Sequence, residues 1–163
     1  MSLSERIIDD IDEQILAILQ ENARIANAEI ARRVGLVASA VFDRVRKLEE
    51  RGIIEGYAAR INPKALGLGL LAFVFVRSED RVGGAKTAEW LARIAEVQEV
   101  HHIAGEDCFL VKVRAPDTEA LGRLLRERFG AIEHVRSTRT TIVLETVKES
   151  AGLPIGAALT EQP

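Results

Sequence analysis

The spacing of apolar residues changes character at Leu70, and that change divides the chain. Before it, three groups recur at the steps of three and four residues that line one face of a helix. They are Ile11, Ile15, Ile18 and Leu19, then Ile30, Ala31 and Val34, then Val41, Val45 and Leu48. After it, residues 71–76 form an unbroken apolar run rich in Phe and Val, the pattern of a strand covered on both faces. A chain of 163 residues holds one ordinary domain or two small ones, and a change of period favours two.

The first sixty residues predict three helices. Asp9 or Asp10 can cap the first, which runs to about Glu21. Asn27 can cap a second over 28–34, stopped by Gly35. A third spans 38–51 and ends at Gly52, in the C-cap position. Residues 53–61 then read as two short strands around Gly56, which makes the whole a winged helix. Asn62-Pro63 breaks the pattern, and residues 65–69 look like a linker.

Charge sharpens the reading. The chain is acidic, with a net charge of -3, and its first sixty residues hold nine Lys/Arg against eleven Asp/Glu. Bulk charge therefore gives no reason for a nucleic-acid partner. Yet the stretch from Arg32 to Gly52 gathers six cations against three acids. On the third helix, the face opposite Val41, Val45 and Leu48 carries Ser39, Asp43, Arg46, Lys47 and Glu50, with Arg44 and Phe42 on the flanks. Two short helices joined at a glycine turn, the second with small polar and cationic residues outward, suit insertion into a major groove. A solvated surface helix would show the same residues, so the local pattern leaves both readings open.

The second half predicts the order β-α-β-β-α-β. Its elements are the strand at 71–76, a helix opened by Gly83-Gly84 with Trp90, Leu91 and Ile94 on one side, and strands at 99–104 and 108–115. A helix capped by Asp117 and bearing Leu121, Leu124, Leu125 and Phe129 follows, and a final strand at 135–146. This is the ferredoxin-like arrangement, so the fold class is α+β, a winged helix-turn-helix followed by a ferredoxin-like domain. The expected division is 1–61, a linker at 62–69, a second domain at 70–149 and a tail at 150–163.

These residues resemble the Lrp/AsnC family of feast/famine transcriptional regulators. In the first domain the resemblance lies in Ile8-Asp9, Asp12, Ile15-Leu16, Glu29-Ile30-Ala31, Val34-Gly35-Leu36, Arg44 to Glu49, Gly52-Ile53-Ile54 and Gly56-Tyr57. In the second it lies in Gly105 to Val111 and Thr140 to Leu144. The resemblance implies a sequence-specific DNA-binding regulator whose assembly or DNA affinity responds to a small effector, an amino acid. DNA contacts would fall to Ser39, Asp43, Arg44, Arg46 and Lys47, and effector contacts to Gly105, Glu106, Asp107, Cys108, Ser137 and Thr138. Double-stranded DNA with near-palindromic operators and a homodimer, assembling further to a tetramer or octamer, are the implied partners. Two departures stand out. Val37 occupies a position where the family has a capping Ser, and at the Gly-x-Tyr-Asp-Tyr turn Asp107 and Cys108 replace Tyr and Asp.

Other chemistry finds little support. Adjacent His101 and His102 on a strand face opposite ways, which defeats joint chelation, and no H-x-x-E-H or C-x-x-C spacing exists, so no metal is expected. Cys108, the single cysteine, follows a strand turn rather than a helix start, so no nucleophile, enzyme or cofactor is expected. One cysteine, no apolar run of spanning length and an acidic start suggest a cytoplasmic protein without a membrane partner. The rival reading is a ferredoxin-like small-molecule-binding module whose helix-turn-helix serves protein contacts.

Overall fold

The computed structural model describes residues 8–79, 86–105 and 107–155. They fall into two compact units, one of the residues up to 59 joined by those from 149, the other of residues 60–148.

The first unit is built on α1 (Asp10–Glu21), α2 (Asn27–Val34) and α3 (Ala38–Glu50). Asp9 caps α1 by accepting from the Asp12 amide at 2.8 Å, and the Asp12 carboxylate returns to the Asp9 amide, a reciprocal pair that fixes the helix start. Helix α2 begins one residue earlier than predicted. The Ala26 carbonyl accepts from the amides of Glu29 and Ile30, so Ala26 takes the cap position and Asn27 lies inside the first turn. Gly35, at φ 72°, adopts the left-handed conformation that lets the Leu36 amide reach back to the Ala31 carbonyl at 3.0 Å. All three helices meet through Ile15, Ile30, Val41 and Leu48, each essentially sealed from solvent.

The two strands expected around Gly56 do not pair. The amides of Ile53 and Ile54 instead both donate to the Leu48 carbonyl, at 2.9 and 3.1 Å, which folds the segment onto the end of α3. An isolated two-stranded hairpin is marginal without a sheet or helix to cover it. Further on, the segment from 149 meets α1. The Leu153 amide donates to Gln20 Oε1 at 2.6 Å, and Gln20 Nε2 donates to the Leu153 carbonyl at 3.0 Å.

The second unit opens with a single turn at Pro63–Leu66, started by the Asn62 side chain on the Lys64 amide and closed by Gly67. Its four strands are β1 (Leu70–Ser78), β2 (Val97–His102), β3 (Phe109–Ala115) and β4 (Val135–Ile142). They form one antiparallel sheet in the order β2-β3-β1-β4. Helices α4 (Lys86–Ala92) and α5 (Thr118–Leu124) supply Leu91, Leu121 and Leu124 to the core that seals Ala72, Val74, Val76, Phe109, Val111 and Val113. This is the predicted ferredoxin-like α+β order. The Gly83-Gly84 helix start lies outside the described residues.

Three expectations are corrected. Strand β1 is fully sealed on one face, by Ala72, Val74 and Val76, while on the other Leu71 is buried but Phe73 and Phe75 stay half-buried. Trp90 does not join Leu91 and Ile94. Thr87, Leu91 and Ile94 fill the inward stripe, which leaves Trp90 a step around the helix and 56% exposed. Strand β4 stops at Ile142 rather than Thr146, because its partner β1 begins at Leu70 and the Val143 amide makes the last bond, to the Leu71 carbonyl.

Helix α5 runs into a wider π turn, Leu125–Phe129, in which the Gly130 amide bonds the Leu125 carbonyl at 2.9 Å. The extra residue swings Phe129 fully into the core. Gly130 permits the turn, since a Cβ there would stand 2.6 Å from the Arg126 carbonyl oxygen. No helix among the described residues is long and apolar enough to cross a membrane.

Candidate functional sites

The surplus of cations between Arg32 and Gly52 is largely engaged. Glu29 accepts from Arg32 at 2.7 and 2.9 Å and from Arg33 at 2.9 Å, and these two guanidiniums hold its carboxyl down at about 2. Arg44 Nη1 donates to Asp9 Oδ2 at 2.7 Å and Asp12 Oδ1 at 2.8 Å, tying α3 to the start of α1. The Asp12 amide, and then Arg44, hold the Asp9 carboxyl below its ordinary value.

What α3 leaves in solvent is therefore a short face. Ser39, Asp43, Arg46 and Lys47 are all exposed. Arg46 sits at 3.7 Å from Asp43 and 3.8 Å from Glu50, contacts too long to hold it against a stronger anion. Four of the five residues expected to face DNA thus share one open surface, and the fifth, Arg44, is turned into the scaffold. At its other end, α3 is bonded by the Tyr57 hydroxyl, which donates to Glu49 Oε1 at 2.9 Å; burial first, and then Glu49, push the Tyr57 phenol up to about 12. Val37 starts α3 with no side-chain cap, as its lack of a hydroxyl requires.

In the second unit the turn before β3 is anchored on both sides. Gly105 takes φ 133°, a conformation open to glycine. The Cys108 amide donates to the Val76 carbonyl at 2.9 Å, and its thiol lies 3.4 Å from both the amide nitrogen and the carbonyl oxygen of Ser78. Asp107 Oδ2 accepts from Arg139 Nη2 at 2.9 Å, and the Arg139 guanidinium lies over the Phe75 ring at 3.9 Å. Strand register pairs Ser137 with Arg77, Thr138 with Val76 and Arg139 with Phe75. Ser137 and Arg139 therefore lie on the half-open face with Asp107, and Thr138 lies on the helix-covered face. Glu106 is outside the described residues.

Arg139 is the residue that sequence reasoning passed over. It lies between Thr138 and Thr140, and only the β1-β4 register brings it beside Asp107 and Phe75. The histidines separate as alternation requires: His101 lies 3.2 Å from Glu99 Oε2, whereas the His102 ring packs on Phe109 with centroids 5.1 Å apart. Among the described residues no three His, Cys, Asp or Glu side chains gather as metal ligands.

Residues 8–55 match winged helix-turn-helix DNA-binding domains, and residues 71–153 match the Lrp/AsnC ligand binding domain. The leucine-responsive regulatory protein of Escherichia coli K12 is 40% identical over 152 residues, covering 91% of this chain and 92% of that protein. The chain belongs to the Lrp/AsnC family. It is a DNA-binding transcriptional regulator of that family, with a ligand-binding second domain. Solved Lrp/AsnC structures agree in fold. A transcriptional regulator from Neisseria meningitidis, complexed with L-Met, superposes with a TM-score of 0.85 at 30% identity, over 90% of this chain and 96% of that one. The feast or famine regulatory protein from M. tuberculosis, complexed with L-methionine, gives 0.82 at 39% identity, over 89% and 97%.

Proposed function

We propose that residues 1–61 read a near-palindromic operator as a homodimer, with Ser39, Asp43, Arg46 and Lys47 at the DNA and Arg44 holding α3 in register. The observation that carries this is the division of α3: Arg44 is bonded to Asp9 and Asp12, while Ser39, Asp43, Arg46 and Lys47 are left to solvent. Residues 62–69 link this unit to an effector-binding and pairing domain at 70–149. Pairing buries the half-open sheet face bearing Phe73, Phe75 and Leu110, and two-fold symmetry sets two copies of α3 in successive major grooves.

The effector is a small zwitterionic amino acid. Asp107 and Arg139, bonded to each other in the free protein, part to take its ammonium and its carboxylate, with Gly105 allowing close approach and Cys108 and Ser137 lining the site. Asp107 thereby replaces the carboxylate that relatives carry one residue later. Thr138 sits behind the strand and acts only through its backbone. Two relatives solved with L-methionine support this class of ligand.

The test is fluorescence anisotropy on the duplex upstream of the protein's own gene, against a scrambled duplex, across salt and with L-methionine added. Preference for the upstream duplex, altered by L-methionine, is the expected result. Equal weak binding to both duplexes would count against an operator there, and a second screen of amino acids without effect would sink the sensing half. Light scattering checks the dimer.

A further inference from the structure

The exposed side of α3 changes chemistry along its length. Its start shows Val37, 68% exposed, then Ala38 and Ser39, then Phe42, 56% exposed. The cations that are loosely paired or lack an ion pair among the described residues, Arg46 and Lys47, come only in its second half. Phe42 is not a core residue left over for want of space, because Val41 and Leu48 fill the inward stripe at 0% and 1% exposure. Ala38 and Phe42 stand four residues apart, so they form one apolar stripe leading back from the helix start, where Val37 sits.

A helix in a major groove presents its first residues to base edges and uses later cations on phosphates. Among base edges there, thymine alone offers an apolar group, its C5 methyl, and Ala and Phe side chains pack on it. A G·C pair offers only donors and acceptors, which an apolar stripe would strip of water and leave unpaired, at a cost. We infer that Val37, Ala38 and Phe42 read thymine methyl groups, so each half-site of the operator carries thymine opposite the first turns of α3. Phe42 is the principal reader, a specificity-determining residue of a different kind from the polar and charged contacts. The inference rests on the reading of α3 as the DNA-facing helix. Methyl packing releases no counterion, so this discrimination is independent of salt even where total affinity is not.

The experiment selects duplexes from a random pool with the full-length protein, then replaces each thymine of the selected half-site by uracil, which removes the methyl and nothing else. Wild-type protein should lose about fourfold in affinity at one or two positions, the worth of one buried methyl-sized group. The ratio should hold between low and moderate salt. Phe42→Ala should bind thymine and uracil duplexes alike at the principal position, and Phe42→Leu should retain part of the difference. Uracil duplexes bound as tightly as thymine ones by the wild type would overturn the inference. So would a Phe42→Ala protein, folded by its thermal melt, that discriminates as the wild type does. Failure of the pool to enrich at all would instead overturn the reading of α3 as a DNA-facing helix, and this inference with it.

Discussion

Arg44 of α3 donates through Nη1 to Asp12 Oδ1 of α1 at 2.8 Å, and Asp12 is nearly buried, at 9% exposure. Arg44, read from the sequence as a DNA contact, thus also ties α3 to the start of α1. Arg44→Gln should lower the stability of the first unit by about 1–2 kcal/mol, the range for a partly screened, charge-assisted bond. Urea denaturation followed by the near-ultraviolet signal of Tyr57 measures it. A double-mutant cycle with Asp12→Asn should show coupling, and additive losses would mean that the bond contributes nothing.

Asp9, which the Asp12 amide and then Arg44 stabilise in its ionised form, gives a pH dependence. Asp9 titrates below its ordinary value in the folded protein, so its contribution is complete above the unfolded-state value of about 4 and is lost as pH falls through the depressed folded value. Acid unfolding of Arg44→Gln should therefore begin at higher pH than that of the wild type. A circular dichroism titration between neutral pH and strong acid decides the matter.

Arg46 is held only at 3.7 and 3.8 Å by its acidic neighbours, so it can move to a phosphate at little cost. Arg46→Ala should weaken operator binding and reduce the salt dependence by about one phosphate contact. Anisotropy titrations at several salt concentrations give the slope, and an unaltered slope would remove Arg46 from the interface.

Gly130→Ala should destabilise the second unit by about 1–3 kcal/mol, the usual cost of an added methyl that forces the backbone to shift. The added Cβ would meet the Arg126 carbonyl at 2.6 Å, so the π turn must open and Phe129 must shift with it. A thermal melt equal to that of the wild type would show that the turn relaxes freely.

Asp107→Asn removes the charge that Arg139 now meets at 2.9 Å. If the pair forms the effector site, the variant should bind L-methionine at least tenfold more weakly by calorimetry, the loss expected of a charge-assisted contact. Arg139→Gln should do the same. Unchanged affinity in both would assign the pair to strand anchoring alone.

The parts of the fold that depend on near neighbours were legible in the residues. Asp9, Gly35 and Asp117 mark helix ends because caps act within one turn, and the inward stripes of α1 and α3 follow from a fixed helical period. What was illegible depends on distant partners. Nothing in the sequence says that Arg44 finds Asp12, that Arg139 finds Asp107, or that Ile53 and Ile54 turn back onto Leu48 rather than pair across Gly56. Trp90 was misread because it adjoins Leu91, and an apolar sequence pattern alone does not say which of two adjacent residues faces inward.

The clasp between Gln20 and Leu153 joins residues 133 positions apart within one compact unit. On a ribosome, the three helices leave the exit tunnel long before Leu153 is added, so the first unit must stand alone while the sheet domain is being made. Only afterward does the late segment close onto α1. The finishing contact of the DNA-reading unit is a timing mark, made after the effector-binding domain has been translated.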